Sequence, residues 1–358
     1  MAVERFVIAG GGTGGHLYPG IAIAEEIQQR RRGVEVVFAG AGTQLERDIL
    51  EPHGYRLIPI RSGGLVGKSA AARIRGIGRA MTGYLESIRT LMTLRPKAVI
   101  GVGGYASGPV VMAAVTLRRP SLIHEQNCLP GLTNRLLAPW VRRVAVSFEE
   151  TKHYFGGRGE VTGNPIRAVF RSAKRKMRGD TFNVLIFGGS QGAKAINDSI
   201  ISALPRLREH RLGLRFTHGT GPNDCDRVKA AYSSSGFEAN VLPYISDIRE
   251  AYEWADLVIA RSGASSVSEI AACGKASILV PLPTSARDHQ RFNARKLSEA
   301  GAAILMDEGG LTGEAVARAL LALREDPGRV IAMERSASSL ARPDAAARIV
   351  DMVEEMAA

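Results

Sequence analysis

Residues 6–16 read FVIAGGGTGGH, and this stretch decides the fold. Four apolar residues run into five glycines broken only by Thr13, and the run closes on His16 ahead of a helical pattern. A buried strand that ends in glycines and passes the chain to a helix is the repeating joint of parallel α/β folds. Glycine reaches positive φ and lets backbone N–H groups approach a guest closely. The N-terminus of the helix behind it carries about half a positive charge, so the natural guest is a phosphate. The helix is expected to begin after His16, near Pro19, because proline suits the first helical position.

The same joint recurs at 99–109 (VIGVGGYASGP) and at 184–193 (VLIFGGSQGA). Further out, short β-forming runs alternate with helical stretches along the chain: VEVVFAG at 34–40, YRLIPI at 55–60, PSLIHEQ at 120–126, RRVAVSF at 142–148, LRFTHGTG at 214–221, DLVIARSG at 256–263 and ASILVPL at 276–282. This alternation predicts the α/β class, with parallel sheets covered by helices. A chain of 358 residues has room for two domains with a core each. From Arg167 to Asp180 six basic residues pass without an acid until the aspartate, and the strand-and-glycine pattern then restarts. Such a run reads as a solvated linker, which sets the domain boundary near residue 165, with domains over 1–165 and 166–340.

Composition removes several function classes. The chain is 45% apolar and 23% charged, which is globular. No segment approaches the roughly 18 uncharged residues of a membrane span, and MAVERFVIAGG lacks the form of a signal peptide, so a cytosolic chain is expected. Cys128, Cys225 and Cys273 stand apart, without C-x-x-C spacing, which argues against disulfides and zinc. A net charge of +12 points to an anionic partner. Nucleic acid is disfavoured, since only 6% of residues are aromatic and no recognition module is visible.

A nicotinamide oxidoreductase is the rival raised by G-x-G-x-x-G at Gly10, Gly12 and Gly15. That fingerprint wants an acid at the end of the second strand to hold the ribose, yet VEVVFAG ends in Ala39 and Gly40 and its acid, Glu35, stands at its start. With the helix starting near Pro19, the glycines would also stand further from the helix than in such a site.

The C-terminal half holds ARSGASSVSEIAACG at 260–274. A strand ends, Gly263 turns, small and hydroxyl residues open a helix, and Glu269 follows about a turn later. A phosphate would meet the N–H groups near Ala264, Ser265 and Ser266, with Glu269 accepting from vicinal ribose hydroxyls; the alternative is a plain capped helix. RDHQRFNA at 287–294 adds amide and imidazole groups suited to sugar hydroxyls, or a polar helix start. Asp224 and Asp226 of NDCD resemble a D-x-D metal clamp, but they open a helix, where acids are expected as caps. No metal and no cofactor is called for.

In order, GGTGGH (11–16), GGYASGP (103–109), HEQN (124–127), GNPIR (163–167), GGSQGA (188–193), RSGASSVSEIAACG (261–274) and HQRFNA (289–294) resemble the MurG family of bacterial glycosyltransferases over essentially the whole chain. The resemblance implies two Rossmann-like domains facing across a cleft, the GT-B architecture, with a C-terminal helix over 341–358 returning to the first domain. It implies transfer of N-acetylglucosamine from UDP-N-acetylglucosamine to the C4 hydroxyl of the N-acetylmuramyl sugar of lipid I (undecaprenyl-pyrophosphoryl-MurNAc-pentapeptide), giving lipid II of peptidoglycan synthesis at the cytoplasmic face of the membrane. Carried over by motif, Thr13, Gly14, Gly15, Asn127, Arg167, Ser190, Ile245, Ala264, Ser265, Ser266, Val267, Ser268, Glu269 and Gln290 meet the donor. Gly103, Gly104, Tyr105 and Glu125 fall to the acceptor. Cys128, Pro130 and the serines of GASSVSE depart from the family pattern without removing a polar group.

Because the donor is α-linked and the product β-linked, one inverting displacement suffices, with one general base and stabilisation of departing UDP. His16 is placed to take the proton, and an imidazole, with an ordinary pKa of about 6.5, suits that task. The alternatives are that His16 only hydrogen-bonds a phosphate or fixes its loop, and that Glu125 is the base, unless HEQN is only a structural polar turn. Residues 61–97 carry eight basic residues against the single acid Glu86. Ile74, Ile77, Met81, Tyr84, Ile88 and Leu91 recur at helical spacing. From Tyr84 onward this stripe is expected to face the core, while Arg73, Ile74, Arg75, Ile77, Arg79 and Met81 form a patch for anionic membrane lipid.

Overall fold

The computed structural model describes residues 3–63, 70–170, 179–189 and 191–357, with the side chains of 70–75 and 77 outside that description. It divides into two units, Met1–Arg167 with Arg342–Ala358, and Ala168–Ala341.

The first unit carries β1 (Arg5–Ala9), β2 (Glu35–Gly40), β3 (Arg56–Pro59), β4 (Ala98–Gly101), β5 (Ser121–Glu125), β6 (Arg143–Val146) and β7 (Gly159–Val161) in one sheet of order β3-β2-β1-β4-β5-β6-β7. The second carries β8 (Phe182–Phe187), β9 (Leu214–Gly219), β10 (Glu238–Leu242), β11 (Leu257–Ala260), β12 (Ala276–Leu279) and β13 (Ala303–Leu305), in the order β10-β9-β8-β11-β12-β13. Every neighbouring pair is parallel. This is the α/β class expected from the alternation of runs.

Helices cover both faces, so strand residues are buried whichever way they point, and this is why the runs are continuously apolar. In β1 the two-residue period sorts the core: Phe6 and Ile8 pack with Leu17, Ile21 and Phe38 on one face, Val7 and Ala9 with Val37, Val99 and Val110 on the other. The C-terminal helix Ala345–Ala357 completes the first of these layers with Ile349, Val350, Val353 and Met356. Arg142 donates to the Met356 carbonyl at 2.8 Å, and Arg31 pairs with Glu354 at 2.8 Å.

In each sheet the strand order reverses beside the first strand, between β1 and β4 and between β8 and β11. Ligands of open parallel sheets bind beyond the carboxyl ends of the strands at this point. The loops there are Gly10–Thr13 and Val102–Ala106 in the first unit, and residues 188–189, 191–193 and 261–263 in the second.

One expectation is corrected. The helix after β1 runs Gly14–Arg30, so it starts five residues before Pro19 and contains it. Thr13 is the extended N-cap residue, and its carbonyl accepts from His16 N at 3.2 Å and Leu17 N at 3.3 Å. The turn forms early because glycines 14 and 15 enter the helical region freely, and Pro19 costs a single backbone donor. His16 therefore belongs to the first helical turn, and no wide gap separates the glycines from the helix. The missing acid at the end of β2 remains.

Candidate active site

In the first unit the two glycine loops pack backbone on backbone. A Cβ on Gly10 would lie 2.5 Å from Val102 and 2.9 Å from the Gly103 carbonyl, and one on Gly104 would collide with the Gly11 carbonyl. Gly103 and Gly104 have φ of 90° and 81°, which only glycine adopts without strain. His16 stands over this contact: a Cβ on Gly103 would come 2.9 Å from its Nδ1 and Cε1. Thr13, Gly15 and Tyr105 are exposed and Gly14 half-buried. The first-turn N–H groups at Gly14 and Gly15 have no helical acceptor.

Gln126 of HEQN has a role that sequence reasoning did not supply. Gln126 is buried, and its Nε2 donates to the Val102 carbonyl at 2.7 Å. Its Oε1 would lie 3.5 Å from a Cβ on Gly103, on the side where His16 stands. Glu125, expected at the acceptor, as the alternative base or as part of a structural polar turn, organises that turn. Its Oε1 accepts from Asn127 N at 3.0 Å and Asn127 Nδ2 at 3.3 Å, its Oε2 from Gly131 N at 3.0 Å and Asn134 Nδ2 at 2.8 Å. Burial pushes its carboxyl above the usual carboxylate range, and these four N–H donors pull the other way. Asn127 is thus held with its turn, and its carbonyl accepts from Thr151 at 3.2 Å. Arg167 closes the first unit with its guanidinium 4.7 Å above the Tyr18 ring, so its stem is placed by a residue two positions beyond His16.

In the second unit the helix Ala264–Ala272 follows β11 through Gly263, its N-cap residue. Ala264, Ser265 and Ser266 form its first turn, so their N–H groups lack helical acceptors. Val267 is core, and the Ser268 hydroxyl is spent on the Ala264 carbonyl at 2.8 Å. Glu269 is buried, with the Tyr252 hydroxyl donating to Oε2 at 3.4 Å. Ile245 is buried against Gly219 at the end of β9. The Gln290 Oε1 accepts from Leu282 N at 3.0 Å, which leaves its NH₂ to offer a ligand, and the Ser262 hydroxyl donates to the Gln290 carbonyl at 2.8 Å. Ser190 lies outside the described residues.

Asp224 sits at the N-cap position of the helix Cys225–Ser235 but makes no side-chain cap. Its carboxylate takes Arg227 at 3.0 Å on both oxygens and Asn197 Nδ2 at 2.8 Å. Asn197 Nδ2 also donates to the Thr220 carbonyl at 3.0 Å, so its Oδ1 is the acceptor for His218 Nε2 at 3.0 Å. The other ring nitrogen of His218 then accepts from the Tyr232 hydroxyl at 3.2 Å. This network backs Gly192, which lies directly against the Thr220 carbonyl. No local pattern in the sequence announces it.

Burial holds two histidines neutral: His124, which meets the Gly163 carbonyl at 3.1 Å, is depressed to about 4, and His218 to about 3. Both lie below the ordinary value of about 6.5, so protonation favours the unfolded chain. Their contribution is complete above about pH 6.5 and is lost as pH falls toward 4, on the order of 3 kcal/mol for His124. His124→Gln keeps a donor for Gly163 without titrating. Melting curves at pH 7 and pH 4.5 should therefore show a smaller acid-induced loss in that variant, and an identical loss would refute the assignment.

Comparison with known proteins now bears on this geometry. Residues 6–146 match the glycosyltransferase family 28 N-terminal domain and residues 183–349 the family 28 C-terminal domain. The chain belongs to glycosyltransferase family 28. It is 45% identical over 353 residues, 97% of each chain, to a Geobacter sulfurreducens protein named UDP-N-acetylglucosamine–N-acetylmuramyl-(pentapeptide) pyrophosphoryl-undecaprenol N-acetylglucosamine transferase. A Myxococcus xanthus protein of the same name is 43% identical over 351 residues, 97% of this chain and 92% of the relative. The crystal structure of Acinetobacter baumannii MurG superposes with a TM-score of 0.78 at 30% identity, over 98% of this chain and 99% of that one. The GT-B assignment and the resemblance read from the motifs stand on these matches, and the glycine joints at 10–16, 99–109 and 184–193 fall within the matched segments.

Proposed function

We propose that this chain is an inverting hexosyltransferase that moves N-acetylglucosamine from UDP-N-acetylglucosamine to the C4 hydroxyl of the MurNAc of lipid I, yielding lipid II. The observation that carries this reading is near-full-length identity to relatives whose printed names state that transfer. The site chemistry supports it. His16 accepts the proton of the attacking hydroxyl, whose oxygen forms the new bond to the anomeric carbon. The bond from that carbon to the diphosphate breaks, and UDP leaves with the electron pair. N–H groups at the first turn of Ala264–Ala272 offset the charge on UDP, and Glu269 accepts from its ribose. Charge carried by these groups leaves no role for a divalent cation.

The acceptor is lipid-linked, so the protein meets it at a membrane, which it binds peripherally through anionic lipid. Among the described residues no helix is long and apolar enough to cross a membrane. In the helix Ala70–Leu94, Tyr84, Ile88 and Leu91 face the core, whereas Arg79, Met81, Leu85 and Met92 are exposed. The side chains of Arg73, Ile74, Arg75 and Ile77 lie outside the described residues. Each basic side chain at an anionic surface contributes about 1 kcal/mol, and salt screens it.

One assay tests both parts. The protein is given a panel of sugar nucleotides, in EDTA, with lipid I either in anionic vesicles or replaced by a soluble short-chain analogue. UDP-N-acetylglucosamine alone should support β-linked transfer, and raising salt should slow the vesicle reaction several-fold while sparing the soluble one. Absence of transfer would overturn the reaction, and equal salt sensitivity of both acceptors would overturn the membrane patch.

A further inference from the structure

We propose that Glu46 is a positioning residue for the transfer, clamping the first glycine loop through Gly12 so that the turn bearing His16 is set. The carboxylate is fully buried in the first unit. Its Oε1 accepts from Gly12 N at 2.8 Å and from Ala41 N at 3.1 Å, and its Oε2 from Thr43 N at 2.9 Å. It thus joins the loops that follow β1 and β2, residues 34 apart in sequence. Two glycines exist to admit it: a Cβ on Gly11 would collide with Oε1, and one on Gly40 would stand 3.1 Å from Oε2.

This revises what the bare loop is for. The Gly12 N–H serves an anion of the protein itself, so a diphosphate must take the N–H groups further along, at the helix start. Gly12, at φ 85°, immediately precedes the N-cap residue Thr13, and His16 follows three residues later on the first turn. A clamp on Gly12 therefore fixes where that turn begins. The same carboxylate completes a capping box with Thr43, whose hydroxyl accepts from Glu46 N at 3.3 Å, for the helix Gln44–Leu50. Capping alone does not explain the bond that crosses to Gly12.

The inference rests on the reading of His16 as the base, and the experiment separates the two. Glu46→Gln places N–H groups where the loop offers only donors. It should lower kcat at least tenfold at saturating substrates, with acceptor KM and UDP affinity changed less than threefold. Thr43→Ala removes the helix cap but keeps all three N–H bonds to the carboxylate, and should retain wild-type kcat. In the unaltered protein the amide of exposed Gly12 should exchange with solvent as slowly as a strand amide, a readout that holds even if Glu46→Gln fails to fold. Rapid Gly12 exchange, normal turnover in Glu46→Gln, or an equal loss in Thr43→Ala would each overturn the clamp. His16→Ala, measured alongside, reports on the base by itself: full turnover there removes His16 from the chemistry, whereas full turnover in Glu46→Gln removes only the clamp.

Discussion

His16→Ala is expected to cut turnover by about 10²–10⁴-fold, the usual worth of a positioned general base, while UDP binds within a few fold of normal. The split follows from where the imidazole acts. As the proposed base it would bond the attacking hydroxyl as its proton leaves, so its loss should raise the transition state without weakening the ground-state hold on the nucleotide. Gly103→Ala gives an independent route to the same phenotype. Its methyl would lie 2.9 Å from the His16 ring, and the position requires a φ of 90°. Alanine there should displace the imidazole and reproduce the turnover loss in a protein that still contains His16. Single-turnover rates and calorimetry with UDP decide the matter; unchanged turnover in His16→Ala would leave the ring a phosphate ligand or a loop prop.

Glu269→Gln should weaken UDP binding tenfold or more. A buried carboxylate that accepts from two ribose hydroxyls makes charge-assisted bonds, and an amide can match only one of them as acceptor. Glutamine is the better test than alanine, because it keeps an oxygen for the Tyr252 hydroxyl and so spares that buried donor. Titration calorimetry with UDP reads the effect directly. Wild-type affinity would take Glu269 out of the nucleotide site and leave it as a buried partner of Tyr252.

The fold was legible because its signals are local. The apolar runs of β1, β4 and β8 and the glycines that end them lie within a dozen residues of one another, and the parallel class follows from their repetition. The start of the helix at Gly14 is hidden in the sequence because the preference of proline for the first helical position is a tendency, whereas the Thr13 carbonyl and two permissive glycines act on the spot. Residues with long-range partners were the least visible. Glu46 lies in the capping box of its own helix, and nothing near it in sequence names Gly12. HEQN holds the polar turn around Glu125, yet the saturation of its carboxylate depends on Gly131 and Asn134, beyond the motif. His218 and Asn197 carried no pattern, since their meeting is made by strand register and helix placement.

The C-terminal helix has a consequence for how the protein is made. The second unit is threaded into the first, so residues 1–167 emerge from the ribosome carrying Phe6, Ile8 and Phe38 long before Ile349, Val353 and Met356 exist to cover them. The inserted unit can complete its own core, from Phe182 to Met333, while its host waits. Birth order and domain order are thus inverted: the half that starts first finishes last. A transcript or translation event that stops short of Ala345 releases a chain with one finished domain and one sticky, unsealed layer, the form of product that cellular quality control recognises and degrades.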